Sequence, residues 1–353
     1  MMAKSRYASG FLLLGIAALV AALLGGCGSD SGGEHDKEAS SAKAAVTTVQ
    51  ALPPQRQDRA MWVAMDGWDT AETIAFPMAE ERDYFTKAQL AITTLSPTSP
   101  KLSIPDVVKG QDSVGVAHGP EVVLARDRGA PIVIVSSFVP HPTAALIWPQ
   151  ESGIGGVADL KGKTIAIPGL PFQKDFLEIA LAQGGLTLDD VKVRSVDNDL
   201  VPSLVSGHAD AIFGGSGNVE GAALRSHGLE PVVKPVQTFG IPDYEELVLV
   251  AREDWAAENP QTVRDLVSAL AKGSTAAVSN PAEAIKAMEA DGERNPAVSP
   301  QARAVEVRQT LPLLSQGARV SAARLQSLID WLNEEEMIKK KPSVDELIVE
   351  PEG

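Results

Sequence analysis

The chain of 353 residues carries 46 Asp and Glu against 31 Lys and Arg, a formal net charge of −15 that argues against nucleic acid as a partner. Its single cysteine excludes an internal disulfide framework, and 44% apolar residues leave enough material for more than one packed core. No basic cluster stands beside the candidate loops, so a multiply anionic ligand is disfavoured as well.

Lys4 and Arg6 precede an uncharged apolar run from Phe11 to Leu24, which is too short for a comfortable membrane span and reads as a secretory leader over 1–26. The following Leu24-Gly25-Gly26-Cys27 resembles the bacterial lipobox, and that resemblance implies cleavage before Cys27 and lipidation of its sulfur. Residues 27–59 are rich in Ser, Gly, Ala, Gln and charge without an apolar period, the composition of a disordered tether.

From Met61 onward short apolar strands alternate with helical stretches. Strands are expected at Met61–Met65, Leu90–Thr94, Val114–Ala117 and Pro131–Ser136, with helices at Ile104–Lys109 and Glu121–Arg128 between them. A second series follows: Ala144–Trp148, Lys163–Ile167, the helix Lys174–Gln183 closed by Gly184-Gly185, Val191–Val196, the helix Val201–Ser206, Ala211–Phe213 and Val232–Val233. Glu245–Ala251 is the last strand, and the chain beyond Asp254 is helical in period. Such alternation predicts parallel sheets covered on both faces. If the helical tail packs on the first half, the chain crosses between two lobes twice and the two crossings form a hinge. Lobe 1 is then 60–143 with 245–353, and lobe 2 is 144–244.

The stretch Asp210 to Gly221 reads as strand, glycine loop and helix start, with Gly214, Gly215 and Gly217 permitting close backbone approach to a ligand. Ser216 or Asn218 is placed to cap the next helix. Trp68 offers a flat face on which a heteroaromatic ring can stack; Phe138, Phe172 and Tyr244 are the other aromatic candidates in a chain with 5% aromatic residues. Pro168 to Gln173 precedes a helix whose start favours an anion or a carbonyl.

Asp159-Leu160-Lys161-Gly162-Lys163-Thr164-Ile165-Ala166-Ile167, with Gly115–Arg126, Leu204–Ala211, Gly214–Gly221 and Phe239–Val250, resembles the solute-binding lipoproteins of ABC importers. Asn218-Val219-Glu220 followed by Gly240-Ile241-Pro242-Asp243-Tyr244 is similar to a narrower branch, which includes binding proteins for thiamine pyrimidine precursors and yeast thiamine-pyrimidine synthase. The resemblance implies an α/β, two-lobed type II periplasmic-binding-protein fold, with two doubly wound sheets joined by two hinge strands and a helical C-terminal part. It also implies a monomer, lipid-anchored outside the cell, that closes on a small-molecule ligand and delivers it to a membrane permease. In that frame Glu220 accepts from amino or ring N–H groups of a heterocycle, Asn218 stands beside it, and Trp68, Asp69, Glu72, His118, Phe172 and Tyr244 complete the expected ligand site. The family usually has a Leu-Asp-Trp run followed by Asn and His, whereas this chain has Met65-Asp66-Gly67-Trp68 with Glu72 and Thr73.

Catalysis is not expected. The yeast relative bears a cysteine-rich motif, an active-site histidine and pyridoxal phosphate; here the sole cysteine is Cys27, and the five histidines show no metal-ligand spacing. Neither a Gly-x-Ser-x-Gly elbow nor a Cys/His pairing is present, so no cofactor or metal is assigned. A carrier of riboflavin-like, aromatic or sulfonate solutes, or a tethered ligand sensor, is the alternative to a pyrimidine-precursor carrier.

Overall fold

Two five-stranded sheets organise the described part of this computed structural model, residues 59–66, 70–291 and 298–349. The leader, Cys27, the tether as far as Asp58, Trp68 and Asp69 lie outside it; Arg59, expected to end the tether, instead opens the first strand, where its backbone N–H bonds to Gln89 O. The described residues belong to one compact unit, and none of their helices is long and apolar enough to cross a membrane.

The first sheet has the order β2-β1-β3-β10-β4, from β1 (Arg59–Ala64), β2 (Leu90–Leu95), β3 (Val114–His118), β4 (Ile132–Val139) and β10 (Leu247–Arg252). The second has the order β7-β6-β8-β5-β9, from β5 (Ala144–Pro149), β6 (Thr164–Ile167), β7 (Lys192–Ser195), β8 (Ala211–Ser216) and β9 (Pro231–Pro235). The chain therefore leaves the first sheet between Val139 and Ala144 and re-enters it at Leu247.

Both sheets are mixed, which corrects the expectation of parallel sheets. β10 runs antiparallel to β3 and β4, and β5 antiparallel to β8 and β9. The physical reason is the double crossing: a strand that has come from the other lobe enters its sheet from the cleft end, against the direction of the local βα units. The remaining pairs, β1 with β2 and β3, and β6 with β7 and β8, are parallel.

Helices cover both faces. In chain order they are α1 (Ala75–Glu81), α2 (Tyr84–Lys87), α3 (Ser103–Val108), α4 (Gly119–Asp127), α5 (Gln173–Ala182), α6 (Leu200–Val205) and α7 (Glu220–Ser226). The C-terminal series is α8 (Glu253–Glu258), α9 (Pro260–Ser279), α10 (Pro281–Asp291), α11 (Pro300–Thr310), α12 (Ala322–Glu334) and α13 (Val344–Leu347). The tail is not wholly helical, because Ile348 makes a parallel bridge with Ile134 of β4. Val263, Leu266 and Leu270 recur on one face of α9 and bury it against lobe 1, each contributing about 1.5–3 kcal/mol by leaving water.

One apolar cluster continues from lobe 1 into lobe 2. Its link is an aromatic chain: Phe176 of α5 meets Trp331 of α12 edge-on at 5.3 Å between ring centroids, Tyr244 at 6.1 Å and Phe172 at 5.0 Å. Phe172 and Tyr244 thus belong to the core on the hinge side, which is where flat, apolar rings are best desolvated. Phe138 is likewise core, packed on Phe76 in lobe 1.

The glycine loop expected after Phe213 is strand. β8 runs through Gly214 and Gly215 to Ser216, and its register against β5 shifts between Ala145 and Leu146, which makes Gly214 a bulge residue with φ +90°. A Cβ at Gly214 would lie 2.6 Å from Gln173 Nε2, so the missing side chain also makes room for that amide.

Candidate functional site

The crossings bring the ends of β1, β3, β5, β8 and β10 to one place between the lobes. A cavity of about 120 Å³ lies there, its wall including Asp66, Glu72, His118, Thr143, Glu220 and Glu246. A larger hollow of about 710 Å³ sits within lobe 1, lined by side chains such as Phe76, Phe85, Ile92 and Met288. That hollow is walled by lobe 1 alone, whereas the interlobe cavity gathers buried carboxyls and an imidazole from both lobes at the strand ends, which makes it the candidate site.

His118, the last residue of β3, is the only cationic side chain on the cavity wall among the described residues. Its Nδ1 lies 3.0 Å from Glu246 Oε1 and its Nε2 3.8 Å from Asp66 Oδ2. Burial works against its charge, but the hydrogen bond and charge of Glu246, with Asp66 and Glu121, outweigh it and raise its pKa to about 9. Glu246 holds more than the imidazole: its Oε2 accepts the backbone N–H of Thr143 at 2.8 Å and of Ala144 at 3.2 Å.

Glu72 sits in a single 3-10 turn, Ala71–Thr73, anchored from α11 by a 2.7 Å bond from Ala71 N to Glu306 Oε1. Its Oε1 accepts from Asn218 Nδ2 at 3.0 Å and from Thr143 Oγ1 at 3.1 Å. Asn218 also donates to Thr310 Oγ1 at 2.9 Å, so one amide joins lobe 2 to two elements of lobe 1. Burial, and next the charge of Glu246, push Glu72 up to about 8 despite the bond from Asn218. Burial likewise lifts Glu121 to about 7.

Glu220 opens α7 and reaches back, its Oε2 accepting Ser216 N–H at 2.6 Å and lying 3.3 Å from Ser216 Oγ. Ser216 Oγ in turn accepts from Val219 N at 3.3 Å, so Ser216 and Glu220 close the helix start between them. Burial raises the Glu220 pKa, partly offset by the Ser216 bonds. Its other oxygen has no protein partner among the described residues.

The loop before α5 is not an anion cradle. Gln173 Oε1 accepts the N–H groups of Gly169 at 2.7 Å and Leu170 at 2.9 Å, filling the position an anion would take. At the mouth, Ser99 Oγ donates to Asp197 Oδ1 at 2.7 Å and Lys101 Nζ pairs with the same oxygen at 3.0 Å.

Of the residues expected from sequence, Glu72, His118 and Glu220 line the cavity and Asn218 braces Glu72 behind it. Phe172 does not reach the wall; its ring lies 6.1 Å from that of His118 and supports it. Tyr244 is wholly buried, and burial with the nearby Glu246 charge holds its phenol well above the ordinary range. Sequence reasoning missed Asp66, Thr143 and Glu246. The signal for Glu246 was present in Glu245-Glu246, two carboxylates directly before an apolar strand, where burial forces each to find donors.

The fold and the cleft are those of the two-lobed solute-binding proteins. The chain belongs to the NMT1/THI5-like family, whose model matches residues 70–284. It is 30% identical over 227 residues to a formylaminopyrimidine-binding protein of Halalkalibacterium halodurans, covering 64% of this chain and 68% of that one. It is 26% identical over 137 residues to a 4-amino-5-hydroxymethyl-2-methylpyrimidine phosphate synthase of Schizosaccharomyces pombe, 39% of each chain. The alkanesulfonate-binding protein SsuA of Xanthomonas axonopodis pv. citri shares the fold with a TM-score of 0.65 at 17% identity, over 83% of this chain and 99% of that one.

Stability should fall as pH rises across the cluster. Glu72 and Glu121 are raised above 4.5 and His118 above 6.5, so between those values and about 7 to 9 the folded state holds protons that the unfolded chain has lost. Each retained proton makes unfolding easier by about 1.4 kcal/mol per pH unit over its window. Urea melts of the ligand-free protein should therefore give a lower unfolding free energy at pH 9 than at pH 6; equal or rising stability would contradict these assignments.

Proposed function

We propose that this chain is the extracytoplasmic solute-binding component of an ABC importer and that its ligand is a small, uncharged aminopyrimidine related to thiamine precursors. The observation that carries the reading is the cavity wall: Asp66, Glu72, Glu220 and Glu246 converge from both lobes against a single cation, His118, already engaged by two of them. Such a wall suits a ring rich in N–H donors and ring nitrogens and repels a sulfonate, which the fold relationship to SsuA alone would have allowed. The cavity, at about 120 Å³, is also small beside the ~300 Å³ and upward of drug-sized sites, which favours one ring over a fused flavin. The name of the Halalkalibacterium relative agrees with this class of ligand.

In this reading Glu220 supplies an acceptor from lobe 2, Glu72 a contact from lobe 1, and Asn218 fixes both lobes around the ring. Trp68 and Asp69 are assigned to the same site by their sequence position next to Asp66. Carriage is preferred to catalysis because the sole cysteine is Cys27 in the lipobox-like stretch and the Halalkalibacterium relative is named as a binding protein. The name of the fungal relative keeps a synthase as the second reading; formation of a pyrimidine phosphate by the purified protein would establish it.

Calorimetry with 4-amino-5-hydroxymethyl-2-methylpyrimidine, its formylamino relative, riboflavin and an alkanesulfonate should show binding of the pyrimidines alone. Glu220→Ala should weaken that binding by about 10- to 100-fold, the worth of a hydrogen bond to a charged group. Binding of the sulfonate in place of the pyrimidines would overturn the ligand class.

Lipid anchoring through Cys27 completes the proposal, since two or more acyl chains hold a protein at a membrane stably. Cys27→Ser should move the protein from the membrane fraction to the soluble fraction in cell fractionation, and continued sedimentation with membranes would contradict the anchor.

A further inference from the structure

We propose that Glu72 meets the ligand as a neutral carboxylic acid, donating its Oε2–H to a ring nitrogen, and so selects heterocycles that place an acceptor nitrogen beside an amino group. This deepens the carrier reading above and rests on it.

The geometry assigns different work to the two oxygens of Glu72. Oε1 already accepts two bonds, from Asn218 Nδ2 at 3.0 Å and Thr143 Oγ1 at 3.1 Å, which occupies both of its lone pairs. Oε2 has no protein partner among the described residues, and the residue lines the cavity. The carboxyl cannot swing away. Its turn is tied to α11 through Ala71 N and Glu306, and Asn218 is tied to α11 through Thr310.

The charges facing Glu72 favour a retained proton. Asp66 lies at the end of β1, Glu220 opens α7, and Glu246 precedes β10; all three bear on it as like charges. His118 and Glu121 stand at the junction of β3 and α4, where His118 is taken by Glu246 and Asp66. On α11, Arg303 is paired with Glu306 at 3.1 Å. Among the described residues no Lys, Arg or His nitrogen lies within ion-pair distance of Glu72. Four buried carboxyls around one committed imidazolium cannot all ionise cheaply; among the described residues Glu72 and Glu220 are the two without a cation, and of these Glu220 has the backbone N–H of Ser216 at 2.6 Å to support a negative charge. Its pKa of about 8 agrees with that placement.

The chemistry then divides across the cleft. Glu72 offers a hydroxyl donor from lobe 1, and Glu220 offers an unpartnered oxygen acceptor from lobe 2. An aminopyrimidine edge presents the complement, a ring nitrogen that accepts and an amino group that donates. Ionised Glu72 would have only lone pairs to offer, so the donor is present below about pH 8 and lost above it.

The test is calorimetry of the full folded protein with 4-amino-5-hydroxymethyl-2-methylpyrimidine in two buffers of different ionisation enthalpy, at about pH 7 and about pH 9. At pH 9 binding should take up close to one proton and be about tenfold weaker than at pH 7, where uptake should be small. Glu72→Ala should weaken binding at pH 7, and Glu72→Gln, which restores an N–H donor, should recover part of the loss without proton uptake. The 3-deaza analogue, with CH in place of the ring nitrogen, should bind wild type at least tenfold more weakly at pH 7. Pyrimidine binding with no proton uptake at pH 9, or uptake that persists in Glu72→Gln, would overturn the inference and leave the carrier standing. No pyrimidine binding at either pH would overturn both. If Glu72→Gln fails to fold, proton uptake by wild type and the deaza comparison still decide.

Discussion

A single buried carboxylate, Glu246, ties the hinge of this protein to its cleft. One of its oxygens takes the backbone N–H groups of Thr143 and Ala144, where the chain passes into lobe 2; the other holds His118 at the cavity wall. Its own backbone N–H bonds to Val139 O at the end of β4. Both crossings are thereby fixed to each other and to the site by one side chain. An ionised group in this position is tolerable only because backbone donors and an imidazolium meet it, and removing any of them would leave a buried charge short of partners.

Around that point the contacts between lobes differ in kind. On the hinge side they are apolar and aromatic, through Phe176 of lobe 2, backed by Tyr244, against Trp331 of lobe 1. Across the cavity and at its mouth they are polar: Asn218 with Glu72 and Thr310, and Asp197 with Ser99 and Lys101. Rotation about the crossings would preserve the first set and exchange the second for water. That is the division of labour a clamp needs, because polar bonds at the mouth are cheap to trade with solvent while the packed hinge keeps the two lobes in register.

The two-lobed layout could be read from the sequence because strand composition and helix period are local properties. Ile132 to Val135 declares a buried strand by itself, and the helical tail after Asp254 does the same. Direction within the sheets was not legible, since nothing local distinguishes a strand that has just crossed from one that has not. The glycines of β8 misled for a related reason: Gly214 serves a bulge opposite β5, and a bulge depends on the partner strand. Phe172 was legible as apolar but not as core, because its partner Phe176 is adjacent on α5 while Trp331 is brought in from the tail.

The site shows the same limit. Glu220 and Asn218 stand in a recognisable stretch, yet the groups that set their chemistry, Glu246, Thr143, Asp66 and Thr310, come from four other parts of the chain. Glu245 and Glu246 look equivalent in sequence; in the fold Glu245 faces Arg324, Ser321 and Ser137, and only Glu246 faces the cleft. The account as a whole stands on a small nitrogen heterocycle being held between the lobes by this acidic cluster. A crystal structure of the protein grown with the formylaminopyrimidine tests it most directly. The ring should lie in the interlobe cavity within hydrogen-bond reach of Glu72 and Glu220; density for the ring elsewhere, such as the lobe 1 hollow near Phe76 and Met288, would contradict it.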